Sequence, residues 1–298
     1  MNKSGYVRVA LQGNRINTRT GNYVLNLIIS LVILCVCANA QTGEPTNAQQ
    51  ASQQQTEPGG ITAEMQATEK ARCAAMSPDE LTWELTLKAN LGNYYLPAYY
   101  RDKDAHRETA WDYVRDNPRL PRALIIGDSI SRGYTVTVRH ALAGKVDVHR
   151  APANCGPTAS GLKNLATWLG NGKWDVIAWN FGIHDRDTDL DVYKMNLETL
   201  RSRLEKTGAR LIWVRTTPAP PSAANQERYT DVECQRVNQA ADEVMKRHGI
   251  PEVDLYALLK DRLAELQLPN NVHFSEAGYK LMGSEVAAEI LATMGGNR

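Results

Sequence analysis

The stretch ALIIGDSISRGYT, residues 123–135, decides the fold. Ala123 to Ile126 form a short unbroken apolar run, the pattern of a strand buried on both faces of a parallel sheet. The run then stops on Gly127-Asp128-Ser129, a glycine, an acid and a hydroxyl that a core would not accept unpaired. In open parallel sheets the ligand crevice lies beyond the carboxyl ends of the strands, so Ser129 is expected at a crevice and not in the core.

Outward from this stretch the same alternation repeats. RALIIG, KVDVHR, WDVIAWN, ARLIWVRTT and the short PEVDLY read as strands, separated by segments of helical periodicity such as Tyr193, Leu197, Leu200 and Leu204. Alternation of this kind specifies α/β architecture: a parallel five-stranded sheet with helices on both faces, a three-layer α/β/α sandwich. Gly249 and Pro251 stop the helix ending at His248, and Ser275 is placed to cap the helix carrying Tyr279, Met282, Val286 and Ile290. Cys234 belongs to the helical stripe Cys234, Val237, Ala241, Val244 and His248 and is expected in the core. Residues 73–119, rich in aromatics, are expected to pack as an extension on one domain spanning 73–298.

Upstream, Lys3, Arg8, Arg15 and Arg19 precede an apolar run from Val24 to Cys37 and the triplet Ala38-Asn39-Ala40. This is the layout of a cleaved export signal over residues 1–40, with an uncleaved inner-membrane anchor as the alternative, so a periplasmic or secreted location is expected. Residues 41–72 are rich in Gln, Thr, Pro and Gly without an apolar period and read as a disordered tether. Beyond the leader remain Cys73, Cys155 and Cys234, one pair of which could bridge in an oxidising compartment. The net charge of +1, with acids and bases mixed along the 298 residues, gives no basic patch for nucleic acid.

Four loops bring polar residues to one sheet edge: GDS after the first strand, APANCGPT after the second, NFGIHD after the third, and LPNNVHFSEAGY before the last helix. In this order the blocks resemble the SGNH, or GDSL-like, hydrolase family from about Pro118 to Met294, and their wording is nearest a secreted, esterase-type branch. Gly127-Asp128-Ser129-Ile130 is similar to the first block, Gly156 to the second, Gly182-Ile183-His184-Asp185 to the third and Asn270-Asn271-Val272-His273 to the last. The resemblance implies a flavodoxin-like fold and an acyl-ester hydrolase that needs neither cofactor nor metal. It implies Ser129 as nucleophile and His273 as its base. The Ser129 and Gly156 N–H groups and the His184 side chain would form an oxyanion hole, with Asn180 as a second candidate donor. Asp128, Asn154 and Asp185 are the polar block residues expected to contact substrate.

Two positions depart from the family pattern. His184 stands where the third block usually has Asn, and a neutral imidazole still offers one N–H. Asn270 stands where an Asp would orient His273; in Ser-His-Asp proteases the change to Asn costs about four orders of magnitude through the wrong histidine tautomer. An amide or backbone carbonyl accepting the Nδ1 proton would leave a working Ser-His pair.

Each residue also has a structural explanation. Ser129 could cap a helix, Gly156 could permit a turn before Pro157 with Asn154 capping it, and His273 could be a surface histidine. His106, His140, His149 and His248 have no partner block. The acids of HDRDTDLD lack the glycine and terminal glutamate of a calcium loop, and no G-x-S-x-G, H-E-x-x-H, phosphate loop or C-x-x-C occurs. The leading expectation is an exported serine esterase removing acyl groups, most plausibly acetyl, from carbohydrate. A lipase or lysophospholipase, an acyltransferase using an alcohol as acceptor, and a catalytically weakened carbohydrate-binding module on the same fold are the alternatives.

Overall fold

The computed structural model describes residues 60–220 and 230–295. The expected leader and residues 41–59 of the expected tether lie outside the described residues. Among the described residues no helix is long and apolar enough to cross a membrane.

Five parallel strands form one sheet in the order β2-β1-β3-β4-β5: β1 Arg122–Ile126, β2 Asp147–Arg150, β3 Val176–Trp179, β4 Arg210–Val214 and β5 Glu252–Val253. Each of the five expected strand segments supplies one. Their side chains alternate between two cores. Leu124, Ile126, Ile177, Trp179, Leu211 and Trp213 face α4 (Thr158–Leu169), α5 (Leu190–Glu205) and α6 (Asp231–Arg247). Ala123, Ile125, Ala178, Ile212 and Val214 face α3 (Ser129–Ala141), the short helices α7 (Leu255–Leu259) and α8 (Leu263–Leu266), and α9 (Glu276–Gly295). This is the doubly wound, flavodoxin-like arrangement, and it places the switch point between β1 and β3.

Helices α3 and α9 meet closely because Gly133 leaves room: a Cβ there would lie 2.1 Å from the Tyr279 ring. The α6 stripe is buried at Cys234, Val237, Ala241 and Val244, and Gly249, with φ +61°, follows the helix end as expected. Ser275 Oγ accepts from the Gly278 N–H at the start of α9.

The N-terminal extension begins earlier than the composition suggests. Residues 63–72, assigned to the tether, belong to α1 (Ala63–Ala74), which packs on α2 (Pro78–Asp104). Their polar composition is reconciled by ion pairing: Arg72 bridges Glu69 and Glu84 at 2.7 Å each, and Lys88 meets Glu69 at 2.5 Å. Helix α2 breaks stride at Gly92, where φ is +66°, and continues to Tyr95, Tyr99 and Tyr100. Leu87, Leu91, Tyr99, Tyr100 and Trp111 form a small core of their own. Cys73, Cys155 and Cys234 are free thiols, so no pair among them is bridged. Burial pushes the Cys155 and Cys234 thiols up, to about 11 and about 12.

Candidate active site

Strand β1 delivers Ser129 to the crevice, and the cap of α3 explains how its hydroxyl stays available. Asp128 is the N-cap, and its Oδ1 accepts the Ile130 N–H at 2.9 Å. The capping duty therefore falls on the acid, not on Ser129. The Ser129 hydroxyl instead lies 2.8 Å from His273 Nε2.

His273 is held from both sides of its ring. Asn271 Oδ1 lies 2.7 Å from Nδ1 and also accepts the His273 backbone N–H at 3.0 Å. With the amide oxygen as acceptor, Nδ1 carries the proton and Nε2 presents its lone pair to Ser129. The side chain on Nδ1 is thus Asn271, two residues before His273, and not Asn270, three before. The reason is local geometry. Asn270 sits at the turn tip with φ +53° and is exposed, whereas Asn271 closes an Asx turn over the histidine. The turn is fixed by the Gln267–Phe274 bridge and by the Leu268 N–H donating to the His273 carbonyl at 2.9 Å.

Burial holds the His273 imidazole below the usual histidine range, and the Arg132 guanidinium acts in the same direction against the opposing pull of Asp128. The ring is therefore neutral at neutral pH, the state in which it accepts a proton.

Gly156 stands on the loop after β2 with φ +65°, a conformation that favours glycine. That loop is tied to the Ser129 loop by the Cys155 N–H donating to the Gly127 carbonyl at 3.2 Å. Arg150, fully buried, ties them a second time. Its guanidinium donates to the carbonyls of Gly127 at 3.0 Å, Asp128 at 2.7 Å and Ala153 at 3.1 Å. Among the described residues neither the Ser129 N–H nor the Gly156 N–H has a hydrogen-bond acceptor, as two donors awaiting an oxyanion would require.

The other expected site residues divide. His184 comes to the site, its Nε2 3.7 Å from Asp128 Oδ2. Asn180 does not serve as a hole donor: its Nδ2 donates to the Val214 carbonyl at 2.7 Å and to Thr216 Oγ1 at 3.3 Å, joining β3 to β4. Asp185 is 1% exposed and turns away from the crevice, accepting from the Thr158 N–H at 2.9 Å and the Thr158 hydroxyl at 2.5 Å. It anchors the start of α4, so it is not a substrate contact. Asp128 is likewise buried by its capping role. Asn154 is half-buried with its Oδ1 sealed, and among the described residues no hydrogen bond joins it to Ser129 or His273. No cluster of metal-ligating side chains occurs among the described residues.

Three residues at the site were not singled out from sequence: Asn271, Arg150 and Arg132. A further one, Tyr95, comes from α2; the Ser129 hydroxyl and the Arg132 charge both act on its phenol against the burial that raises it. The profile of the GDSL-like lipase/acylhydrolase family matches residues 125–281, more than half of the chain. The chain belongs to the GDSL-like lipase/acylhydrolase family. Solved structures agree on the fold of this GDSL-like protein. A lipase/acylhydrolase from Enterococcus faecalis is 25% identical, with TM-score 0.51 over 58% of this chain and 96% of that one. A GDSL-like lipase from Bacteroides thetaiotaomicron is 16% identical, with TM-score 0.51 over 65% and 97%. An acetyl xylan esterase is 14% identical, with TM-score 0.50 over 57% and 99%. None of the curated proteins matches the chain. The family match begins inside β1, so α1, α2 and the segment to Trp111, including Tyr95, lie outside it.

Proposed function

We propose that this GDSL-like acylhydrolase is an exported serine esterase that removes short acyl groups, acetyl foremost, from carbohydrate. The observation that carries the reading is the chain of contacts Ser129 Oγ, His273 Nε2, His273 Nδ1, Asn271 Oδ1 at 2.8 and 2.7 Å. His273 takes the Ser129 proton as Oγ attacks the ester carbonyl, and the carbonyl oxygen becomes an oxyanion facing the N–H groups of Ser129 and Gly156. Each such donor is worth about 3 kcal/mol in the transition state. His273 then gives its proton to the departing alcohol, leaving an acyl-Ser129. Water, deprotonated by the same imidazole, attacks that ester and frees the acid and the Ser129 hydroxyl. His184, beside Asp128, is a third donor within the same crevice.

A short acyl group is favoured by the polar groups gathered around His273, namely Arg132, Asp128 and His184. Export rests on the leader, and carbohydrate on the polar and aromatic surroundings of Ser129, including Tyr95, Arg132 and His184. Purified protein and Ser129→Ala should be compared on 4-nitrophenyl esters from acetate to decanoate and on acetylated xylan. Turnover of acetate, release of acetate from the polymer and loss of both in the variant are expected. Equal inactivity of both proteins on every ester would overturn the hydrolase, and preference for decanoate would overturn the short-acyl reading.

A further inference from the structure

Arg132 lies one turn along α3 from Ser129, and its surroundings differ from those of the other arginines near the site. Arg150 spends its donors on backbone carbonyls, and Arg139 donates to the Val148, Thr109 and Ala110 carbonyls. The Arg132 guanidinium has no hydrogen-bond acceptor and no carboxylate partner among the described residues; its Nε is sealed from solvent, while its terminal nitrogens are not. Asp128 is the nearby acid, but one of its oxygens caps Ile130 and the other faces His184.

What positions Arg132 is aromatic and comes from outside the family's own segment. Its guanidinium carbon is 5.5 Å from the Tyr95 ring centre and 5.8 Å from that of Trp111, two rings that meet edge-on at 5.5 Å. Trp111 is in turn fixed through its carbonyl, which accepts from Trp83 Nε1 at 2.9 Å. Rings of this kind hold a guanidinium by cation–π attraction without neutralising it. The charge is felt at the reacting base, since it lowers the proton affinity of His273. An uncompensated, pre-oriented guanidinium with open terminal nitrogens beside a nucleophile matches a planar anion.

We propose that Arg132, held by Tyr95 and Trp111, binds a carboxylate carried by the ester substrate, so that the enzyme selects acidic esters. The inference rests on the esterase reading above. The carboxylate could belong to the acyl group or to the alcohol, as in a uronic acid, and two matched pairs of esters distinguish these. The first pair is the 4-nitrophenyl monoester of succinic acid and its methyl ester. The second is 4-acetoxybenzoate and its methyl ester. Within each pair a methyl group masks the carboxylate, intrinsic reactivity is set by the ratio of the Arg132→Gln variant, and the Ser129→Ala rate is subtracted as background.

The full chain is expected to prefer the charged member of one pair by about tenfold or more in kcat/KM, the scale of a charge-assisted hydrogen bond. Arg132→Gln should bring that ratio towards one, and Arg132→Lys should restore part of it. A ratio is independent of the fraction of folded protein, so a destabilised variant still answers. Serine-dependent turnover without a charge preference, or a preference that survives Arg132→Gln, overturns the carboxylate site and leaves the esterase standing. Equal losses on both members of a pair assign Arg132 to structure alone and also overturn it. Absence of serine-dependent turnover on all four esters removes the esterase reading, and the selectivity with it.

Discussion

Replacing Asn271 by Ala tests the least expected contact of the site. Asn271 Oδ1 is 2.7 Å from His273 Nδ1 and 3.0 Å from the His273 backbone nitrogen, so the change removes the acceptor that fixes both ring and turn. A neutral hydrogen bond contributes about 0.5–1.5 kcal/mol net. The tautomer adds to this, because an imidazole protonated on Nε2 cannot accept the Ser129 proton. Together they predict a fall in kcat/KM of about 10- to 100-fold, or about 1.4–2.8 kcal/mol. This is smaller than the roughly 10⁴-fold penalty of Asp to Asn in the Ser-His-Asp enzymes, because alanine removes the acceptor without placing a donor against Nδ1 that would lock the wrong tautomer. The assay is 4-nitrophenyl acetate hydrolysis at neutral pH, with thermal unfolding to confirm that the variant is native. Asn270→Gly is the matched control, since glycine suits φ +53°, and it should stay within about twofold of the parent. If Asn270→Gly caused the large loss and Asn271→Ala the small one, Asn271 would not be the group that orients His273.

Burial and the Arg132 charge hold His273 below its ordinary value of 6.5, and the neutral ring is the active one. The kcat/KM profile should therefore be level through neutral pH and decline only below 6.5, and an acid limb above 6.5 would contradict the structure. Gly133→Ala drives a methyl into the Tyr279 ring, 2.1 Å from where its Cβ would stand, and should cost about 1–3 kcal/mol in urea unfolding. Arg150→Met leaves the Gly127, Asp128 and Ala153 carbonyls without their buried donor and should cost about 3 kcal/mol or more, seen as a lower urea midpoint.

The sheet was legible because its strands are short apolar runs ending on polar loops, and β1 through β5 fall within the five segments read that way. Ser129, Gly156, His184 and His273 were legible as blocks at strand ends. Asn271 was not, because the family spacing points to position 270, and only the φ of +53° at that residue shows why the turn selects its neighbour. Asn180 and Asp185 look like site residues because they sit at strand ends. Their partners, Val214 and Thr158, are 34 and 27 residues away in sequence, a pairing no local pattern reveals. Arg150 was hidden for the same reason. An arginine ending a strand reads as exposed, yet this one is sealed among carbonyls that become acceptors only after the loops following β1 and β2 converge. Helix α1 was lost to its composition, since Glu69 and Arg72 look solvated until Glu84 and Lys88 arrive from the next helix.

An amide in place of an acid beside His273 changes more than the base. A carboxylate at Asn271 would add a negative charge to the surroundings of His273, where Arg132 and His184 now face only Asp128. Such a charge would raise the proton affinity of His273 and stabilise its imidazolium, the usual benefit of an acid at this position. It would also oppose the field that Arg132 presents to an anionic ester, since opposite effects on proton and substrate follow from one charge. Asn271→Asp therefore should move the acid limb of kcat/KM upward in pH while lowering the preference for the charged member of the ester pair. The two shifts share a cause, so a variant that raised the limb and left the preference intact would separate Arg132 from substrate binding. An orienting amide gives up the charge that would strengthen the base, and it adds no negative charge to oppose the pull of Arg132 on an anionic ester.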